Sequence, residues 1–214
     1  MIRTKIVLLA ALALLGAGGA ANADLLTFDR ADACSPTIST CQNYALLDQS
    51  YGDGVGVDVV YSDLSSGSHP GVQFWDKWGG LTDAAFAGVD DFNSIGQIDL
   101  VGLSGYVITL NGFDLAAWKQ DRTTLWMIED LAGGTVASSG GVIDILYSGP
   151  TSVGGSHSSS SGFRITWGPN AYNVGLDNLS FDATSVTSVP EPGTLALFGL
   201  GLAAMGMRRR KKTV

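Results

Sequence analysis

The chain has 214 residues, 20 of them acidic and 12 basic, for a net charge of −8. Seven bases (Arg3, Lys5 and the five at 208–212) and one acid, Glu191, sit at the two ends, which leaves an interior of 19 acids against 5 bases, net −14. That balance excludes nucleic acid as a partner, because binding it needs clustered Lys and Arg; it suits solubility, or a divalent cation such as calcium.

The N-terminus reads as an export signal. Arg3 and Lys5 form a positive region, Ile6 to Leu15 an apolar one, and Ala21-Asn22-Ala23 a small-residue cleavage site. Cleavage after Ala23 makes 1–23 a signal peptide; the alternative is an uncleaved anchor helix.

Residues 24–183 read as one all-β domain. Gly, Ser, Asp and Asn punctuate it about every ten residues, and long helical periodicity is absent. Leu25 to Phe28 is a short opening strand. Cys34 and Cys41 bracket a six-residue loop and face an oxidising exterior, so a disulfide is expected; the alternative is a metal pair. Val55 to Tyr61 alternates as a half-buried strand. Residues 82–92 read as one short helix. Gln97 to Val101 and Gly105 to Leu110 follow as strands. Asn111-Gly112 is either a hairpin turn or a bulge in a strand that continues through Leu115, and the bulge is the favoured reading. Thr123 to Ile128 is a continuous apolar run, expected as a central strand. Thr135 to Ser138 and Val142 to Tyr147 are further strands, and Gly149 to Ser161 reads as a flexible Gly/Ser loop. Phe163, Ile165 and Trp167 alternate with polar residues, and Tyr172 to Phe181 closes the domain. About ten strands over this length imply a two-sheet sandwich or jelly roll, flanked by the signal helix and a short C-terminal transmembrane helix.

Residues 184–214 form a linker and anchor. Pro190-Glu191-Pro192 is a stiff, accessible tripeptide. Thr194 to Met207 is an apolar stretch of 14 residues, about 21 Å of helix against a bilayer core of ~30 Å. Five consecutive cations follow and are expected to stay cytoplasmic. These three parts, in this order, resemble the PEP-CTERM sorting signal of Gram-negative bacteria. The resemblance implies an exosortase partner that processes the tail, a transient inner-membrane anchor, release to the cell surface or exterior, and association with exopolysaccharide and biofilm.

Three interior segments resemble the exported domains that accompany such tails: Gln49-Ser-Tyr-Gly-Asp-Gly54, Gly112-Phe-Asp-Leu-Ala-Ala-Trp118 and Tyr172-Asn-Val-Gly-Leu-Asp-Asn-Leu-Ser-Phe181. Those domains are galactose-binding-type jelly rolls, which implies a lectin-like tendency without a ligand. Jelly-roll carbohydrate modules often hold a structural calcium between the opening and closing strands. Asp29 and Asp177 are therefore the candidate calcium ligands, calcium being the candidate cofactor; the alternative is that Asp177 and Asn178 cap a bulge or turn.

For sugar binding, Trp75 and Trp78 are the candidates, in a segment bracketed by loop formers with Asp76 and Lys77 between them. They form either an exposed stacking platform or a buried plug at the end of the sandwich. Trp126 and Trp167 are expected in the core, and Trp118 is ambiguous. His69 and His157 lie in Gly/Ser-rich segments outside any catalytic motif, and Glu129 sits at a strand end. No catalytic residue is assigned. The sequence reads as a non-enzymatic polysaccharide-binding or structural matrix protein, with a secreted hydrolase acting on extracellular glycans as the alternative.

Overall fold

The computed structural model describes residues 22–34, 41–65, 71–89 and 93–186. The sorting tripeptide Pro190, Glu191 and Pro192, the segments expected as terminal helices and His69 lie outside the described residues. Those residues form twelve strands and no α-helix. One antiparallel sheet is ordered β10 (Thr151–Ser159), β6 (Tyr106–Ala117), β12 (Val174–Ser185), β4 (Leu81–Phe86), β3 (Gln73–Trp78), with β1 (Asn22–Leu26) also on β12. The other runs β2 (Val57–Asp63), β5 (Gly96–Gly102), β11 (Gly162–Gly168), β7 (Arg122–Asp130), β8 (Thr135–Ser138), with β9 (Ile143–Ile145) on β7. The expected all-β, two-sheet architecture is what forms.

Alternation explains the core. Ile98 and Leu100 of β5, Phe163, Ile165 and Trp167 of β11, Ile108, Leu110 and Leu115 of β6, and Leu176, Leu179 and Phe181 of β12 all point between the sheets and are fully buried. Each such side chain contributes about 1.5–3 kcal/mol of apolar burial. The opening strand, expected at Leu25 to Phe28, runs instead over Asn22–Leu26. Within β1, Asp24 to Leu26 pair with Phe181 to Leu179.

Three expectations are corrected. Residues 82–92 do not open a helix: Leu81–Phe86 is a strand whose Leu81 pairs with Trp78 and whose Ala84 pairs with Trp75. Local helix compatibility of Thr-Asp-Ala-Ala yields to cross-strand pairing, as strand preference depends on such context. Gly149 to Ser161 is not a loop, for Thr151–Ser159 is an edge strand on β6. A Gly/Ser strand has little to bury, and an edge with one neighbour is where that is tolerated. Thr123 to Ile128 does lie inside its sheet, but only Thr124 and Ile128 are buried, and its other face is half open.

The bulge at Asn111 is confirmed. Strand β6 runs unbroken through it, while Ser180 pairs with Gly112 and Phe181 with Leu110, leaving Asn111 as the extra residue. Its Nδ2 donates to Asp182 Oδ2 at 2.8 Å.

The free edge of β2 is closed by side chains. Asp53 Oδ1 accepts the Val59 N–H at 2.8 Å, and the Gln49 amide both accepts the Tyr61 N–H and donates to the Tyr61 carbonyl, each at 3.1 Å. The Gln49 to Gly54 segment thus serves the fold: it stands in for a missing strand on an edge that would otherwise template pairing with another chain.

Candidate aromatic face

A second apolar cluster lies outside the core. Trp78, Leu81, Ala84, Phe86 and Ala116 are buried together, with Trp75, Trp118 and Tyr172 half-buried against them. Ala116 is flanked in β6 by Leu115 and Ala117, which face the core, so the cluster covers the outer face of the first sheet. Strict alternation would put Trp75 and Trp78 on opposite faces. Lys77 interrupts it with a left-handed backbone (φ 58°), and the two indoles join one cluster.

Trp78 forms the base. It is 1% exposed, its Nε1 donates to the Ala116 carbonyl at 3.0 Å, and its ring stacks on Phe86 (5.1 Å between centroids) and Trp118 (5.6 Å). It fits because the sheet beneath is made of small residues: Ala84, Ala116 and Gly175. Trp75 stands across this base, edge-on to Trp118 at 5.2 Å, Trp78 at 6.1 Å and Tyr44 at 4.7 Å. Aromatic pairs in such edge-to-face arrangements gain about 0.5–1.5 kcal/mol beyond area burial. Tyr44 is half exposed, and its hydroxyl meets that of Tyr172 at 3.1 Å.

Tyr44 reaches the site on a strap. The chain around residues 43–47 lies along the free edge of β3, with Tyr44 N–H donating to the Phe74 carbonyl and Phe74 N–H to the Ala45 carbonyl. Cys34 and Cys41 form the expected disulfide, with Cα atoms 5.5 Å apart, and Cys34 bridges to Leu47 at the strap's end. The rim is polar: Asp76 accepts from Arg30 and from Asn43 Nδ2, both at 2.7 Å, and Asn43 Oδ1 accepts the Asp76 N–H. The Lys119 ammonium sits 3.8 Å from the Trp118 ring centroid, a cation–π contact.

Of the two sugar-binding candidates, Trp75 stays half-exposed, while Trp78 is a buried support whose ring stacks on neighbours. Tyr44, Phe86 and Tyr172 were not anticipated. Their signal is long-range pairing, which the sequence does not spell out; the local hint is the small residues Ala84, Ala116 and Gly175 of β4, β6 and β12. Trp167 is core, as expected, and Trp126 is half-buried.

Asp29 follows β1 and Asp177 lies in β12, within electrostatic reach of one another. Asp177 is 4% exposed, and its Oδ1 has no hydrogen-bond partner among the described residues. Burial, reinforced by the carboxylates of Asp83, Asp114 and Asp29 and opposed by the Asn178 N–H, pushes its carboxyl up to about 7. Burial likewise raises Asp83. Calcium takes six to eight oxygens, carboxylate and carbonyl together. Among the described residues no three carboxylate, His or Cys side chains converge, and both oxygens of Asp114 already accept, from Ser152 and Asn178.

Asp53 is engaged at the β2 edge, and Glu129 stands in register with Arg164. A shallow, mostly apolar groove of about 460 Å³ lies on the other sheet, between Leu125, Met127, Pro169 and Gly140-Gly141.

Residues 188–211 match the PEP-CTERM protein-sorting motif. The motif marks an exported protein sorted by an exosortase, with membrane-anchored processing. No curated protein matches the sequence. Among solved structures, the chain resembles an arabinose-bound MgGH51 α-L-arabinofuranosidase at 11% identity and TM-score 0.36, over 74% of this chain and 29% of that one. It also resembles the enzymatically active domain of bacteriophage CBA120 tailspike protein 4 at 15% identity and TM-score 0.27, over 59% of this chain and 18% of that one. The chain therefore spans less than a third of either protein.

Proposed function

We propose that the exported domain is a non-enzymatic polysaccharide-binding module, delivered to the cell surface or extracellular matrix and working within an exopolysaccharide biofilm. The observation that carries this reading is the outward aromatic face: Trp75 and Trp118 are held half-buried on a buried Trp78–Phe86 base, beside the exposed Tyr44 and the Asn43, Asp76 and Arg30 rim. An exposed aromatic patch rimmed by polar groups is the signature of an interaction site. Rigid indoles offer flat C–H stacking at little entropic cost, and the rim supplies hydroxyl partners.

The hydrolase reading is weaker. Among the described residues, Asp177 is the carboxyl raised to an acid catalyst's range, and at 4% exposure it does not reach a substrate.

Binding of the purified full-length chain to a panel of immobilised polysaccharides tests the proposal. Trp75→Ala and Trp118→Ala are expected to weaken binding at least tenfold while the circular dichroism spectrum is kept. Retention of full affinity in both variants would overturn it, as would catalytic release of sugar from any member of the panel.

A further inference from the structure

Between the two ends the chain has five basic residues: Arg30, Lys77, Lys119, Arg122 and Arg164. Two of the arginines are held by carboxylates. Arg164 makes a two-point contact with its cross-strand neighbour Asp99, at 2.9 and 2.7 Å, and Arg30 pairs with Asp76 at 2.7 Å. The lysines differ. Both are exposed, and among the described residues neither forms an ion pair with a carboxylate. Both also belong to segments that build the aromatic face: Lys77 lies between Trp75 and Trp78 in the chain, and the Lys119 ammonium rests over Trp118.

The carboxylate next to Lys77, that of Asp76, is already paired with Arg30. Two lysines without an ion pair are thus carried by the segments that build the aromatic face. A neutral sugar gains nothing from them. A sugar ring carrying an anion gains on both counts, stacking on the indole and meeting the ammonium at its edge. The net charge of −14 opposes a polyanion at long range, but at physiological ionic strength the Debye length is about 8 Å. More distant charges on the domain are screened, and the carboxylates nearest the lysines in the chain, Asp76 and Asp121, are engaged by Arg30 and by the Tyr147 N–H. The cation–π contact holds Lys119 in place, so less freedom is lost when it meets an anion.

We propose that the aromatic face selects an acidic polysaccharide, one whose sugar rings bear repeating anionic groups, with Lys77 and Lys119 meeting those charges. The inference rests on the aromatic face being a glycan site, and it names the class of glycan.

The test is equilibrium binding of the full-length chain to immobilised polygalacturonate and to its methyl ester, which share a backbone and differ in charge. The acid form is expected to bind at least tenfold tighter, and that preference is expected to shrink as salt rises from 50 to 300 mM. An exposed ion pair is worth a factor of up to about five. Lys77→Gln and Lys119→Gln are each expected to cost about three- to fivefold on the acid polymer and nothing on the ester, and the double variant is expected to erase the preference. Both side chains are exposed, so folding is not at stake, and circular dichroism verifies it. Equal binding of the two polymers, or a preference untouched by the double variant, would overturn the charge selection while leaving the glycan site standing. Binding to neither, with no other glycan of the panel retained through Trp75 and Trp118, would bring down the glycan site and this inference with it.

Discussion

Gly175 of β12 lies directly beneath Trp78. A Cβ added there would stand 2.9 Å from both Cδ1 and Nε1 of the indole and 2.8 Å from the Ala84 Cβ. The neighbours of Gly175, Val174 and Leu176, are core residues, so its missing side chain is missing from the outer face alone. The outer aromatic base depends on this gap. Gly175→Val is expected to lift Trp78 and cost about 1–3 kcal/mol, the usual range for overpacking. Urea unfolding would read the loss, and a red-shifted tryptophan emission would report the displaced indole. Gly175→Ala should give the same change at smaller size.

The disulfide links stability to the same face. Cys34 and Cys41 are seven positions apart and anchor the strap that carries Asn43 and Tyr44 to the rim. Closing a loop of roughly eight residues contributes about 2.5 kcal/mol in the chain-entropy account. Cys34→Ser with Cys41→Ser is expected to lower unfolding free energy by about 2–3 kcal/mol. It should also weaken glycan binding, because Asn43 then loses its hold on Asp76. Mild reduction of the wild-type protein with the same binding assay checks both.

Much of the sandwich was legible because burial imposes a period of two. Phe163, Ile165 and Trp167 announce an inward face in the sequence alone, and so do the flanking strands. What alternation cannot show is an element with nothing to bury. Thr151–Ser159 escaped notice because its glycines and serines carry no pattern, yet β6 accepts it by backbone pairing. The aromatic face was half legible. Trp75 and Trp78 were found by their type and surroundings, but their division into contact and support was not. That division depends on Gly175, about a hundred residues away, and on a left-handed Lys77, and neither announces its partner.

The capped edge of β2 gives a third prediction. Gln49→Ala strips partners from the Tyr61 N–H and carbonyl together, and an unmet buried polar group costs about 1–3 kcal/mol. Asp53→Ala frees the Val59 N–H, whereas Asp53→Asn keeps an acceptor oxygen in place and should be mild. The exposed edge should also promote self-association. Chemical denaturation combined with static light scattering separates the two effects. A pair of alanine variants that stay monomeric and fully stable would show that the segment does not serve the edge.

Asp177 sets the direction of pH dependence. Its carboxyl titrates near 3.8 in the unfolded chain and at about 7 in the folded one, chiefly because burial disfavours the charge. Below pH 4 both states hold the proton, and the contribution is fully present. As pH climbs, the unfolded state releases its proton while the folded state keeps it, so stability drops by about 1.4 kcal/mol per pH unit until the folded group ionises. The loss reaches up to about 4 kcal/mol between about pH 4 and 7, and Asp83, also raised by burial, acts with the same sign. The wild-type protein is therefore expected to melt higher at pH 5 than at pH 7.5. Asp177→Asn, which holds a neutral group at every pH, should flatten most of that slope and raise the melting temperature at pH 7.5. EDTA should leave both proteins unchanged. A bound calcium would reverse these signs: it would favour the carboxylate, make the wild type sensitive to EDTA at pH 7.5, and turn Asp177→Asn into a destabilising change. Melting curves at two pH values, with and without chelator, decide between an acid kept neutral by burial and a carboxylate held by a cation.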